Sequence, residues 1–429
     1  MNKRDILQKI YRAAVDAAAP ANCLPPHLPQ PPANGRILIF SAGKAAGSMA
    51  EAAEAFYLDR HNFPREMMLG IAVARHGYGR KLRRIDMVEA GHPVPDAEGI
   101  AAAARTLALA ESTTANDLAL ILMIGGASAN WIAPAEGITL DDKRALTRAL
   151  LRSGANITEM NCVRKHLSRI KGGRLAVALA PAHVVTLAIS DVPGDDPSVI
   201  GSGPSVPDVT TLADARKILA DRNIVPPASV ASALENPANE SPKPGDKAFA
   251  NTRFEIVAKP SQSLAAAAEA AKAAGYEPVV LGADVEGEAR DVAAEHARLA
   301  LQLQKENRRA AILSGGELTV TIRGQGRGGP NQEYALALAA ALGGARNIAA
   351  VAGDTDGTDG GGGHADDPAG AFIDETTLSR ARNLGLDPAR ILADNNSTFF
   401  FDRLGDLLNP GPTFTNVNDL RAILVDSKE

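Results

Sequence analysis

The sequence predicts an α/β protein of two domains, each with a sheet at its centre. Three observations carry this. Short apolar runs alternate with Ala- and Leu-rich stretches of helical length, the pattern of βαβ units. The runs are continuous rather than alternating, as parallel strands covered on both faces require. Nearly every run ends in a glycine-rich, polar turn. A chain of 429 residues exceeds what one core usually serves, so two domains follow. Aromatic residues make up only 4%, so the cores must be built from Ala, Leu, Val and Ile, whose small bulk suits closely packed layers.

In chain order, a Pro-rich loop at Pro25–Pro32 precedes the first run, Arg36–Phe40. Leu69–Ala74, Leu118–Ile124 and Val184–Ile189 follow, with helical stretches such as Ala97–Ala110 and Asp141–Ser153 between them. Ser205–Asp246 changes texture, with Pro226-Pro227 and other Pro-rich pieces, and reads as the connection between domains. The second set of runs is Phe254–Ala258, Pro278–Leu281, Ala310–Leu313 and Ile348–Ala352. The expected domains are residues 1–240, with a parallel sheet and helices on both faces, and a smaller 241–429, with a mixed sheet.

Charge and composition exclude several classes. The net charge of −5 and the lack of a dense Lys/Arg run argue against nucleic acid as a partner. No stretch approaches the roughly 20 apolar residues of a membrane span, and Met1–Ala19 is amphipathic without an apolar signal core. Two cysteines, Cys23 and Cys162, cannot make a disulfide framework and suit a reducing compartment, so a cytoplasmic location is expected. The oligomeric state stays open between monomer and homodimer.

The chemistry lies in the turns. Six close apolar runs: Ser41-Ala42-Gly43-Lys44, Gly91-His92-Pro93, Gly125-Gly126-Ala127-Ser128, Ser190–Asp196, Ser314-Gly315-Gly316-Glu317 and Gly353–Asp359. Ligands of open α/β sheets bind at the carboxyl ends of strands. Glycine lets backbone N–H groups approach phosphate closely, and a following helix N-terminus adds positive potential. Lys44 sits at such a helix start, where a cation works against the helix dipole unless an anion favours it. Asp354, Asp356 and Asp359 repel one another unless a cation neutralises them. An EF-hand is ruled out, because its fifth and twelfth positions would be Thr358 and Ala365. Mg²⁺ or another divalent cation, held by one or two carboxylates and by phosphates, fits better. Asp191, just after a buried run, suits a general base for a hydroxyl. Arg164, Lys165, Arg169 and Lys171 form the most basic segment and suit a carboxylate or phosphate. His92, His183 and His364 are scattered without ligand spacing.

Three other motifs bear on the chemistry. The Walker A spacing is absent. Ser128 is not in a G-x-S-x-G elbow. Gly324-Gln325-Gly326-Arg327-Gly328-Gly329 does match the dinucleotide fingerprint, which would indicate an NAD(P)H-dependent reductase. The strand before it alternates, with Leu318, Val320 and Ile322 against Thr319, Thr321 and Arg323, so it is expected to be half exposed and antiparallel. No acid lies about 20 residues on, where a ribose partner is wanted. The same glycines serve an anion clamp with Arg327.

Taken together, Ser41–Met49, Gly91–Gly99, Gly125–Lys143, Met160–Leu175, Ile189–Asp208, Ser314–Glu317, Gly326–Ala335, Ala352–Asp359 and Gly411–Leu420 resemble the class II glycerate kinases, the glycerate 2-kinase family whose members often carry hydroxypyruvate reductase names. The resemblance runs from about Ile6 to Leu424. It implies a Rossmann-like N-terminal domain, a smaller C-terminal α/β domain and an active site in the cleft between them. It also implies transfer of the γ-phosphate of ATP, with a divalent cation, to the 2-hydroxyl of D-glycerate. Lys44 matches the catalytic lysine, Asp191 the Ser-Asp-Val loop, and Asp354, Asp356 and Asp359 the Asp-rich loop. Gly43, Gly126, Ser128, Arg164, Lys171, Ser314, Gly315, Gly316, Asn331, Glu333 and Asn416 are the expected substrate- and nucleotide-binding positions. The chain departs from the family pattern at Ala127 and Asn130, at Pro330 in place of an arginine, at Phe414 in place of glycine, and in the long glycine run after Asp359. In the family that arginine is associated with catalysis, and Arg327 is expected to take over its role as a catalytic residue beside Lys44 and Asp191. The acceptor stays open between D-glycerate and a related sugar acid, such as erythronate or a product of tartrate degradation.

Overall fold

The structure is a computed structural model and describes residues 2–360 and 364–427; the glycines at 361–363 lie outside the described residues. The chain forms two compact units, Cys23–Val257 and Met1–Asn22 with Ala258–Glu429.

The first unit is built on six strands: β1 (Ile37–Ala42), β2 (Met68–Arg75), β3 (Asp86–Ala90), β4 (Leu118–Met123), β5 (His183–Ile189) and β6 (Thr252–Ala258), in the order β3-β2-β1-β4-β5-β6. The pairs β3–β2, β2–β1, β1–β4 and β4–β5 are parallel. Every residue of β1 and β4 is buried, which is why these runs are unbroken in the sequence. The segment read as an interdomain connection belongs to this unit. Its helices Leu212–Asp221 and Ala228–Glu235 bury Leu212, Ala215, Leu219, Val230 and Leu234 against Leu146, Leu150, Met160 and Val163. The Pro-rich texture marks the loops around these helices rather than a linker.

The second unit holds β7 (Glu277–Gly282), β8 (Gly287–Glu288), β9 (Ala310–Ser314), β10 (Leu318–Thr319), β11 (Ile348–Asp354), β12 (Gly370–Ile373), β13 (Leu407–Leu408) and β14 (Asp419–Val425). Its main sheet has the order β13-β12-β11-β14-β9-β7 and is mixed: only β7–β9 is parallel. Alternate residues point to opposite faces. Ala310, Ile312, Ile348 and Ala350 pack under the helices Ala289–Lys305 and Pro330–Leu342. Ala311, Leu313, Ala349 and Val351 pack under Lys3–Ala17 and Pro260–Ala273.

Two expectations are corrected here. Residues 1–22 pack with the C-terminal unit, not the N-terminal one. Ile6, Leu7, Ile10, Tyr11, Ala14 and Val15 line one face of the first helix and are buried on this sheet. At roughly 2 kcal/mol per buried side chain, that face anchors the helix firmly. The alternating stretch from Leu318 to Arg323 is not an antiparallel strand. Only Leu318–Thr319 pairs, in parallel with β8. Thr321 instead donates from its backbone N and Oγ1 to Glu288, and the backbone N–H groups of Arg323 and Gly324 donate to Asn395 Oδ1. Among the described residues no helix is long and apolar enough to cross a membrane.

Candidate active site

In the first unit the strand order reverses at β1. The chain runs outward through β2 and β3, then returns to lay β4 on the other side of β1. Neighbouring loops diverge at such a switch point and leave the crevice in which ligands of open α/β sheets bind. The loops that diverge here are those carrying Gly43-Lys44 and Gly125–Ser128. They are tied together: Lys44 N donates to Gly125 O at 2.8 Å, and Gly43 N donates to Val73 O at 3.1 Å. Gly43 has φ +116°, and a Cβ there would lie 2.3 Å from Ile124 O and 2.7 Å from Gly125 O, so no other residue allows the two loops to approach this closely. Gly126, at φ +92°, opens the short Ala127–Asn130 helix. A Cβ on Gly126 would meet the His92 ring at 3.0 and 3.1 Å and Lys44 Cγ at 3.5 Å. Lys44 and His92 therefore both lie against the open face of Gly126. Sequence reading set His92 aside for want of metal-ligand spacing; its position after β3 was the available signal.

Ser128 Oγ is 2.8 Å from Ser202 Oγ, which in turn donates to Asn161 Oδ1 at 3.3 Å. Lys171 is buried and donates from Nζ to Ser128 O at 2.8 Å. The basic segment thus divides by role. Arg164 and Lys171 are held without a carboxylate partner among the described residues. Lys165 pairs with Asp208 at 3.3 Å in a buried site, His166 is held by Cys162 O, Glu240 and Ser241, and Arg169 is exposed. Asp191 follows β5 at the same carboxyl edge of the sheet and is half-buried.

The second unit gathers the acids. Asp354 ends β11 opposite Asp419, the first residue of β14. Asp354 Oδ1 accepts from Asp356 N at 2.8 Å, and Asp356 Oδ1 accepts from Thr358 N at 2.8 Å and Thr358 Oγ1 at 3.0 Å. Asp359 has a task the sequence reading did not foresee. Its Oδ1 accepts from Asn331 N and Nδ2, and its Oδ2 from Gln332 N and Nε2, which satisfies the first turn of the Pro330–Leu342 helix. Burial pushes its carboxyl up to about 7, against the pull of these donors. Burial also raises Asp419, which accepts from Asn331 Nδ2 at 2.6 Å and pairs with Arg421 at 3.1 Å. Tyr11 donates to Asp354 O at 2.7 Å. Its phenol is raised well above the usual range by burial and then by Asp354, Asp356, Asp419 and Asp359, so the four carboxylates share one neighbourhood.

Among the described residues Asp354, Asp356 and Asp359 do not offer three ligand atoms within 4.8 Å of one another; His76, Asp96 and Glu98 do. The donor set still suits one divalent cation. Asn331 Oδ1 is buried beside Asp359 and Asp419 with no hydrogen-bond partner, an orphaned acceptor that a cation would satisfy. Mg²⁺ needs only one or two carboxylates besides substrate oxygens.

The remaining expected residues have defined places. Ser314 Oγ accepts from Arg421 Nε at 3.0 Å, and Gly315 O accepts from its guanidinium. Gly316, at φ +88°, lies against the Val285 backbone. Arg421 is 1% exposed and was missed, although a cation within the apolar run of β14 was visible in the sequence. Glu333 is buried and committed to Arg290 Nε at 2.6 Å and Asn395. Asn416 is buried and accepts from Asn418 N at 3.3 Å. Arg327 is 71% exposed and pairs with Asp367 at 3.3 Å. It borders a cavity of about 570 Å³ with Gly326, Gly328, Gly329 and Asn395. The glycines of the fingerprint-like run are used for close packing: Gly324 and Gly326 against Asp394–Asn396, Gly328 against Ser397 and Gly329 against Asp359.

The chain is similar to known proteins over most of its length. Residues 6–235 match the model described as "Domain of unknown function (DUF4147)", and residues 310–419 match the MOFRL family. A protein named D-glycerate 2-kinase from Thermotoga maritima is 36% identical, over 96% of this chain and 96% of its own length. The chain belongs to the class II glycerate kinase family. A glycerate 2-kinase from Pyrococcus horikoshii is 38% identical over 92% of this chain and 88% of its own, and an Agrobacterium vitis protein that carries a hydroxypyruvate reductase name is 46% identical over 99% and 95%. The crystal structure of a Thermotoga maritima glycerate kinase superposes with a TM-score of 0.87 at 35% identity, covering 98% of this chain and 99% of that one.

Three of the departures from the class II glycerate kinase pattern have local explanations. Pro330 occupies the first helical position, where its fixed φ is suited and no N–H is needed. Phe414 keeps the left-handed backbone that glycine would adopt, with φ +56°, at a cost of order 1 kcal/mol. Asn130 is fully buried and donates to Ala90 O and Gly91 O at 3.4 and 3.3 Å. It therefore braces the His92 loop and is not a surface open to substrate.

Proposed function

We propose that the protein transfers the γ-phosphoryl group of ATP to the 2-hydroxyl of D-glycerate, giving 2-phosphoglycerate and ADP. The observation that carries this is the meeting of Lys44, His92 and the Gly125–Ser128 loop at the β1/β4 switch point, in a chain whose relatives include proteins named glycerate 2-kinase. Phosphoryl transfer asks little covalent chemistry of a protein. It asks for positioning and for charges preorganised around the transferring group.

In this reading each unit has its own part. In the first, Asp191 orients the acceptor hydroxyl and takes its proton as the oxygen attacks phosphorus. The bond to the bridging oxygen breaks, and ADP leaves with both electrons of that bond. Lys44 neutralises charge on the transferring group. Arg164, Lys171 and Ser128 hold the acceptor's carboxylate. In the second, Gly315 and Gly316 keep the loop at the end of β9 closed on Arg421, and Arg327 serves the nucleotide phosphates from the rim of its cavity. A bound divalent cation supplies neutralisation of the phosphate oxygens. Asp354 and Asp356 are the carboxylates suited to hold it, with Asn331 Oδ1, while Asp359 fixes Asn331 and the helix behind it. Glu333 and Asn416 support these loops rather than touching substrate.

The rival is an NAD(P)H-dependent hydroxypyruvate reductase. The glycines of its fingerprint are used here for contacts within the protein. Replacing Lys44 by alanine tests the assignment. Loss of one preorganised charge costs about 3 kcal/mol, on the order of a 100-fold fall in kcat/KM in ADP release. A Lys44→Ala enzyme of near-normal turnover refutes the role. A panel of three- and four-carbon hydroxy acids in the same assay ranks D-glycerate against erythronate and tartrate-derived acids.

A further inference from the structure

The proposed reading assigns Arg164 and Lys171 to the acceptor. The structure adds a third cation to them. Lys143, on the Leu140–Arg152 helix, donates from Nζ to Leu167 O at 3.0 Å, and Leu167 follows directly on the helix that carries Arg164. Lys171 donates to another neutral acceptor, Ser128 O. Arg164 makes no hydrogen bond or ion pair among the described residues. Three cations thus share one half-buried place, and the two lysines that have a partner have only a main-chain carbonyl. Several other buried or half-buried cations of this unit are matched by acids, Lys165 by Asp208, Arg36 by Asp117 and Arg222 by Glu159, while Arg174 donates to the carbonyls of Asn239 and Glu240. Lys171 sits on the main chain of Ser128, whose hydroxyl is linked to Ser202 and through it to Asn161, neutral groups able to bond a carboxylate or hydroxyl.

Uncompensated buried charge is costly and persists where a ligand repays it. We infer that Lys143, Arg164 and Lys171, with the hydroxyls of Ser128 and Ser202, form a single anion pocket for the carboxylate end of the hydroxy acid, and that Lys143 is a specificity-determining residue within it. This rests on the proposed kinase reading for the identity of the ligand, not for the existence of the pocket.

The electrostatics support the geometry. Burial, and then Arg164, lowers the Lys143 ammonium to about 8. Burial, and then Lys143 and Arg164, lowers Lys171 well below its usual range. Burial alone lowers Arg164. Among the described residues no carboxylate opposes these shifts. An entering anion therefore favours protonation, and near pH 8 its binding draws protons from the buffer.

The test uses the full chain, with D-glycerate as probe, in Lys143→Met and Lys143→Arg variants. Loss of a charged hydrogen bond raises the KM for the acid about tenfold or more in Lys143→Met, with the KM for ATP unchanged. Lys143→Arg restores most of the affinity, which a merely structural lysine would not require. Calorimetry of D-glycerate binding without ATP, in two buffers of different ionisation enthalpy at pH 8, shows proton uptake by the wild type and less by Lys143→Met. An unchanged KM for the acid in a folded Lys143→Met protein overturns the inference, as does binding without proton uptake. The two readings separate cleanly. An acid that binds in a Lys143-dependent way but yields no ADP upholds the pocket and refutes the kinase. ADP release with an unchanged acid KM in Lys143→Met does the reverse.

Discussion

Gly126 offers the sharpest perturbation of the switch-point site. A methyl group at this position enters the space shared by Lys44 and His92, 3.0 Å from the His92 ring and 3.5 Å from Lys44 Cγ. The backbone stays at φ +92°, which costs an alanine about 1–2 kcal/mol. The contacts are with side chains that can yield a few tenths of an ångström, so the protein folds. For a unit of this size the strain lowers its melting temperature by about 2–8 °C. Catalysis suffers more than stability, because a displacement of about 1 Å at a reacting centre can cost on the order of 100-fold. Gly126→Ala is therefore expected to lower kcat in ADP release by at least about tenfold while circular dichroism shows a folded protein. Gly43→Ala is the contrasting control. Its methyl would meet main-chain oxygens at 2.3 and 2.7 Å, so the loop itself must break and folding suffers first. A Gly126→Ala enzyme with normal kcat and only a lower melting temperature would refute the placing of chemistry between Lys44 and His92.

Two further predictions concern the framework. Asp117 is pushed up by burial, but the side-chain and backbone donors of Arg36 and the backbone N–H of Thr114 outweigh this and hold it at about 2. A depressed folded value gives stability that is present above the unfolded value near 4 and is lost as pH falls from there through about 2, amounting to about 2 kcal/mol. Urea unfolding between pH 6 and 2.5 checks this, since Asp117→Asn should remove that part of the acid slope and an unchanged slope would contradict it. Asp359→Ala should cost about 3 kcal/mol of stability through lost capping and orphaned donors at Asn331 and Gln332, with or without Mg²⁺. A loss seen only when Mg²⁺ is present would instead make Asp359 a ligand.

Much of the fold was legible because burial on both faces leaves a continuous apolar run. β1, β4 and β5 stand out in this way, and the glycine turns behind them mark the ligand edge. What was not legible depended on distant partners. Nothing in Lys3–Ala17 says that its apolar face meets a sheet some 300 residues on, or that Tyr11 will reach Asp354 O. The alternation of Leu318–Arg323 looked like a strand, yet Glu288 and Asn395 take its backbone donors. Asp359 has the composition of a metal ligand, and only the helix starting at Pro330 reveals it as a cap. In the basic segment sequence alone could not separate Lys165, matched by Asp208, from Arg164 and Lys171, matched by no acid among the described residues.

The proposed reaction is phosphoryl rather than hydride transfer. The purified protein with D-glycerate, ATP and Mg²⁺ is expected to release ADP and form 2-phosphoglycerate, and with hydroxypyruvate and NAD(P)H it is expected to oxidise no cofactor. Cofactor oxidation without any ADP release from a hydroxy acid would contradict it.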